Sequence, residues 1–260
     1  MAGGGDRFFI IGAMRSATTY LATILDEHPE VCMAKPLVAP ERKFFLKDDE
    51  YARGPGYYES EYFGNCGKAV VFGEKTVHYC ERDDAAARIK AFYPSSKIIM
   101  ILRNPVFRAL SNYFFSRQNG LETRGIEDVF LNDVPPPEYD RRMLVSPFDY
   151  LARGVYLEHI KRYERRFPSS SIRILVMEKF VGIRDEIANL YDFLGVAGDY
   201  LPRSVAFRIH STGTDMAGIN AKVLSRLQDY YSGKNCLLAG HLDVDLDIWG
   251  KEAAGAEQLT

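Results

Sequence analysis

Short apolar runs alternate along this chain with stretches in which apolar residues recur every three or four positions. Phe8-Phe9-Ile10-Ile11-Gly12 is a buried-strand run closed by glycine, and Tyr20, Leu21, Ile24 and Leu25 then share one helical face until Pro29 ends it. Ala69-Val70-Val71-Phe72 predicts a second strand, followed by a helix that Asp83 or Asp84 caps and that carries Ile89 and Phe92 before Pro94. Lys97-Ile98-Ile99-Met100-Ile101-Leu102 is the most apolar run in the chain and predicts a central parallel strand, with a helix opening at Pro105. A helix over about Tyr150 to Phe167 leads to a strand at Ile172–Val176, then to a helix from Asp185 to Leu194 closed by Gly195. Strand and helix in alternation mean an α/β fold, a central parallel sheet flanked by helices on both faces.

Two stretches interrupt that rhythm: Asn119 to Pro147, which contains three consecutive prolines, and about Leu201 to Gly218. They are too long for simple connections and read as lids or binding loops. A chain of 260 residues suits one large α/β domain, so a single domain over 1–260 is expected, with loose ends at 1–6 and about 251–260. No internal repeat is visible.

Composition narrows the partners. With 33 basic against 35 acidic residues the formal net charge is −2, which supplies no overall field for nucleic acid, so anion binding must be local. No window reaches the ~18 apolar residues of a spanning helix, and the N-terminus runs into the first strand without a signal-type segment. No membrane association and a cytoplasmic location are the expectation. Cys32, Cys66, Cys80 and Cys236 are widely spaced without a C-x-x-C pair, which points away from zinc and towards reduced thiols.

The chemistry concentrates after the first strand. Gly12-Ala13-Met14-Arg15-Ser16-Ala17-Thr18-Thr19 places backbone N–H groups, hydroxyls and a guanidinium at a helix start, where the helix dipole favours an anion. It is not a Walker A loop, since that template started at Gly12 puts Ala17 at the second glycine and Thr18 at the lysine. A P-loop kinase would also end a neighbouring strand with a Mg²⁺-binding aspartate, whereas the 97–102 run ends in Arg103-Asn104. Arg103, followed by Ser111, suits a second phosphate, because guanidinium binds such groups bidentately. The implied ligand is anionic at two places and needs no metal.

These residues resemble the PAPS-dependent sulfotransferase family, PAPS being 3′-phosphoadenosine 5′-phosphosulfate. Gly12-x-x-Arg15-Ser16-x-Thr18-Thr19-x-Leu21 is similar to its 5′-phosphosulfate loop, and Arg103-Asn-Pro105-x-x-Arg108-Ala-x-Ser111-x-Tyr113 to its 3′-phosphate motif. Arg15 stands where many members have lysine and Ala17 where many have glycine; alanine is tolerated there if its φ is negative. Pro40-Glu41-Arg42-Lys43-Phe44-Phe45 and Gly73-Glu74-Lys75-Thr76 look like the heparan-sulfate and bacterial carbohydrate branch. The resemblance implies sulfuryl transfer from PAPS, leaving PAP, to a hydroxyl or, less favoured, an amine of a small molecule, natural product or glycan. It implies Arg15, Ser16, Ala17, Thr18, Thr19, Tyr20, Arg103 and Ser111 as cofactor ligands. Glu41 is implied as general base, Arg15 and Lys75 beside the transferring group, and 119–147 on the acceptor side.

Other roles compete for several of these residues. Glu41 lies among Arg42, Lys43 and Lys47 and can be a surface carboxylate in an ion-pair cluster. His78 is a rival base, as in the cytosolic phenol and steroid branch, although its register is off by one. Arg108 can be an exposed helix arginine or a second 3′-phosphate ligand, and His28 reads as a helix C-terminal cap. The pairs Phe44-Phe45, Tyr57-Tyr58 and Phe114-Phe115 read mainly as core. Arg208, His210 and Ser211 fall where the family often brings a late loop over the 3′-phosphate. The alternatives to a sulfotransferase are a kinase-like phosphotransferase and a non-catalytic nucleotide-binding module.

Overall fold

The computed structural model describes residues 6–38, 40–140, 143–206 and 218–250. Among the described residues, five strands form one sheet: β1 Asp6–Gly12, β2 Val31–Met33, β3 Val71–Lys75, β4 Lys97–Leu102 and β5 Ile172–Val176. Their order is β2-β3-β1-β4-β5, and every neighbouring pair is parallel. The α/β class and the parallel sheet are as the alternating pattern predicts. β1 and β4 lie inside the sheet, which is why Phe8–Ile11 and Ile98–Leu102 are apolar at every position rather than at every second one.

The helices are α1 Thr18–Asp26, α2 Asp48–Tyr51, α3 Gly54–Phe63, α4 Asp83–Phe92, α5 Pro105–Gln118, α6 Ile126–Phe130, α7 Tyr156–Glu164, α8 Met177–Phe180, α9 Arg184–Leu194 and α10 Ala221–Leu242. By packing, the chain divides into two compact units, Met1–Leu102 with His159–Ile209 and Arg103–Glu158 with His210–Thr260. Each has its own core. In the first, Leu21, Ile24 and Leu25 of α1 and Ile187, Leu190 and Leu194 of α9 pack with the sheet residues Ile10, Ile99 and Ile101. In the second, Val223, Leu227 and Tyr231 of α10 pack with Val106, Leu110 and Tyr113 of α5 and Phe130 of α6.

Several boundaries differ from the pattern. β3 begins two residues later than predicted and continues through Glu74-Lys75, because Val70 is 50% exposed while those two charged residues are buried. Asp83 and Asp84 occupy the first turn of α4 rather than its cap, which is Arg82. Asp6 is already paired with Val71 in β1. The remaining loose-end residues, 1–5 and 251–260, lie outside the described residues.

The cysteines correct an expectation. Cys32 in β2 and Cys66 after α3 form a disulfide with their Cα atoms 5.6 Å apart, a separation that the bond accommodates. Cys80, buried, and Cys236, exposed, take no part in a disulfide.

Candidate active site

The loop between β1 and α1 is built around two constraints. Ala13 N–H donates to the Ile101 carbonyl at 2.9 Å, tying the loop's first residue to β4. A Cβ on Gly12 would fall 2.6 Å from Cys80 Sγ and 3.1 Å from the Val77 carbonyl oxygen, so only glycine leaves this approach open. Arg15 (φ 66°) and Ala17 (φ 63°) are left-handed, and Ala17 is the N-cap of α1. The negative φ that would make alanine harmless is therefore absent, and a side chain there costs about 1–2 kcal/mol.

The loop is suited to an anion. Ser16 is fully buried, yet its Oγ has no hydrogen-bond partner, a cost that a ligand oxygen would remove. The first turn of α1 carries no acidic side chain to offset the positive end of the dipole. Thr18 is buried and Thr19 exposed at that turn. Tyr20 is occupied differently: its hydroxyl donates to the Val205 carbonyl (3.3 Å) and accepts Gly182 N–H (3.1 Å), and burial raises its pKa.

The second feature lies at the end of β3. Lys75 Nζ is 2.9 Å from Glu41 Oε1, and the two side chains are only 4% and 7% exposed. Glu41 Oε2 accepts Val77 N–H at 3.1 Å. Glu41 is thus paired with a residue 34 positions away rather than with the basic residues beside it. Arg42 instead lies over the Tyr62 ring and donates to the Lys35 carbonyl. His78 Nδ1 contacts Glu81 Oε1 at 3.1 Å.

Beneath the pair is a buried cluster with no counterpart in the sequence reading. Glu74 takes hydrogen bonds from Tyr58 (2.7 Å), Thr76 (2.9 Å) and Tyr79 (2.6 Å). Burial pushes its carboxyl above the usual value, the three hydroxyls pull it back, and the Glu41 charge adds to the rise. Burial, followed by the Glu74 charge, pushes the Tyr58 and Tyr79 hydroxyls well up. Phe44 and Phe45 are fully buried and edge-packed on each other, as a core reading predicts.

In the second unit, Arg103 follows β4 directly and its carbonyl accepts the Tyr156 hydroxyl at 2.7 Å, while Ser111 is buried on α5. Arg108 is 0% exposed, which excludes the surface-arginine reading. Its guanidinium donates to the Tyr150 carbonyl and to Asn112 Oδ1, bracing α5 against the 146–154 segment. In the first unit, His28 accepts Glu30 N–H through Nδ1 and contacts the Ala197 carbonyl through Nε2; its role is structural, but it ties the turn after α1 to residue 197 rather than capping the helix, whose C-cap is Glu27. Arg208, His210 and Ser211 lie outside the described residues. Among the described residues no group of three or more His, Cys, Asp or Glu side chains could hold a metal ion, and no helix is long and apolar enough to cross a membrane.

A parallel α/β sheet whose inner strand β1 feeds a loop with a buried, unpartnered Ser16 hydroxyl and no Walker lysine defines the class of α/β proteins with an anion-suited loop at the first helix start. The particular family follows from comparison: residues 5–203 match the sulfotransferase domain, and the chain belongs to that family. It is 30% identical over 203 residues to human heparan sulfate glucosamine 3-O-sulfotransferase 6, covering 75% of this chain and 55% of the relative. It is 32% identical over 209 residues to the Xenopus laevis bifunctional heparan sulfate N-deacetylase/N-sulfotransferase 1, covering 75% of this chain and 23% of that protein. The chain thus spans about half, or less, of the length of these relatives. A sulfotransferase from Alicyclobacillus acidocaldarius shares the fold, with a TM-score of 0.77 at 23% identity over 95% of this chain and 99% of that one.

Proposed function

We propose that this chain is a PAPS-dependent sulfotransferase acting on a hydroxyl of a glycan or related small molecule. The observation that carries the reading is the buried Glu41–Lys75 pair, which joins a candidate base to a candidate leaving-group cation across 34 residues. The glycan preference rests on the heparan sulfate relatives.

PAPS supplies an activated sulfuryl group whose transfer leaves charge on a 5′-phosphate. The chain's part is positioning and charge stabilisation, as in phosphoryl transfer. Ser16 Oγ, Thr18, Thr19 and the N–H groups opening α1, with those of Ala17 and Tyr20, hold the phosphosulfate end, and Arg15 neutralises it. Arg103 and Ser111 take the 3′-phosphate by motif position. Lys75 is held on Glu41 Oε1 at rest. As charge develops on the leaving oxygen the ammonium is drawn towards it, which frees Oε1 to take the acceptor proton. His78, engaged with Glu81, is the lesser candidate for that proton. The 119–147 segment serves the acceptor side. No metal enters this scheme, and neither nucleic acid nor membrane is needed.

On location, the cytoplasmic setting read from the sequence competes with the Cys32–Cys66 disulfide, a bond that persists in oxidising environments. Thiol alkylation at lysis, followed by mass analysis, decides between them.

The test pairs binding with turnover. PAP should bind in the presence of EDTA and raise the melting temperature. Glu41→Gln should keep PAP binding while lowering transfer from labelled PAPS to a glycan and phenol acceptor panel by about 10²-fold or more. His78→Asn should cost less. PAP binding without transfer to any acceptor would favour the non-catalytic module, and Mg²⁺-dependent ATP turnover would favour the kinase.

A further inference from the structure

Glu74 is an expensive residue for its place. Its carboxylate is buried, and the hydrogen bonds it takes all come from hydroxyls, with no cation among them. A buried carboxylate without a cationic partner carries a desolvation cost that an apolar residue or an amide would avoid. Lys75, its neighbour in β3, does not offset it, because that ammonium is bound to Glu41.

The hydroxyls show what the carboxylate accomplishes. Tyr79 donates to Glu74 Oε1 and accepts Phe45 N–H at 3.2 Å, so Glu74 grips the segment that begins at Glu41. Thr76 donates to the same oxygen and lies between Lys75 and Val77, whose N–H binds Glu41 Oε2. Tyr58 adds a tie to α3 through Oε2. Two segments far apart in sequence, 41–45 and 75–79, are thereby closed into one ring of contacts: Glu41 to Lys75 and Val77 on one side, Tyr79 to Phe45 on the other, with Glu74 at the centre. An ionised or hydrogen-bonding oxygen is needed at that centre, because removing it leaves buried hydroxyls without acceptors.

From this geometry we infer that Glu74 is a positioning residue, holding Glu41 and Lys75 in register through the Tyr79 and Thr76 hydroxyls without itself touching donor or acceptor. The inference rests on the sulfotransferase reading and on Glu41 as its base.

A double-mutant cycle separates this role from plain structural support. Glu74→Gln keeps the shape and one acceptor oxygen. In the otherwise native chain it should lower kcat about tenfold, in the range for a misplaced general base, while the Kd for PAP and the KM for PAPS stay within about twofold. In a Glu41→Gln background the same change should cost no more than about threefold, since one of the two groups it positions has lost its function and only its hold on Lys75 is left to lose. Tyr79→Phe should follow the same pattern, and it carries the test if Glu74→Gln does not fold. Equal kcat losses in both backgrounds, or a PAP affinity that falls in step with kcat, would overturn the inference. So would a Glu74→Gln enzyme with native kcat. If Glu41→Gln itself retains activity, the base assignment is what fails. If the native chain binds PAP but transfers no sulfuryl group, the enzymatic reading fails and takes the inference with it.

Discussion

Gly12→Ala tests the phosphate loop most directly. The added Cβ would lie 2.6 Å from Cys80 Sγ, whereas ordinary contact begins at 3.4 Å, so about 0.8 Å must be found. The neighbour cannot yield easily: Cys80 is buried and its short side chain bonds the Val77 carbonyl. Overpacking of this kind costs about 1–3 kcal/mol. For a chain of this size that corresponds to a melting temperature lower by roughly 2–10 °C. Relief by movement of the loop instead would displace the N–H groups at the start of α1, and a shift approaching 1 Å costs up to ~10²-fold in transfer rate. Thermal unfolding, PAP calorimetry and PAPS turnover together read both routes. Cys80→Ala removes the sulfur and leaves the 3.1 Å contact with the Val77 carbonyl and the 3.3 Å contact with the residue-80 Cβ, each of which needs only a few tenths of an ångström. In the double variant the Gly12→Ala penalty should therefore shrink by at least about half, a coupling within the range for residues in contact. A Gly12→Ala protein with native stability and PAP affinity, or a penalty unchanged by Cys80→Ala, would refute the steric argument.

Three further outcomes are expected. The Cys32–Cys66 bridge spans 34 residues, so its reduction should remove about 3–4 kcal/mol by the loop-entropy estimate, and thiol titration of the denatured, unreduced chain should find two free thiols rather than four. Burial raises the Glu74 carboxyl above its ordinary 4.5, so its contribution to stability is fully present below that value and is lost as pH rises through the folded pKa. The melting temperature of Glu74→Gln minus that of the native chain should accordingly increase between about pH 4 and pH 7, and a flat difference would contradict the assignment. Arg103→Ala and Ser111→Ala should weaken PAP about tenfold or more while leaving the analogue without the 3′-phosphate nearly unaffected; equal losses would remove both from that role.

What the sequence determined by itself is the part governed by local pattern. Phe8–Gly12 and Lys97–Leu102 were legible as strands because a strand covered on both faces must be apolar at consecutive positions, and Ile172–Val176, a half-buried edge strand carrying Arg173, was legible from its β-branched run. The anion loop was legible because its glycine, hydroxyls and helix start are contiguous. Three-residue β2 carries too little pattern to register, and the long α10 has a buried face, packed on α5 and α6, that its local pattern does not announce. Contacts between distant segments were decided only by the tertiary structure. Glu41 sits among Arg42, Lys43 and Lys47 in sequence, yet its partner is Lys75, because the segment after β2 returns to the end of β3. The same return brings Tyr79 to Phe45. Cys32 and Cys66 meet for a similar reason, since β2 lies beside β3 and the chain after α3 leads into that strand. Ala17 shows the limit in the other direction: composition permits alanine, but only the path of the chain into α1 fixes its φ at 63°. Hydrophobic periodicity reports which face a residue turns to the core, whereas ion pairs, hydroxyl relays and backbone signs depend on what the folded chain brings against that face.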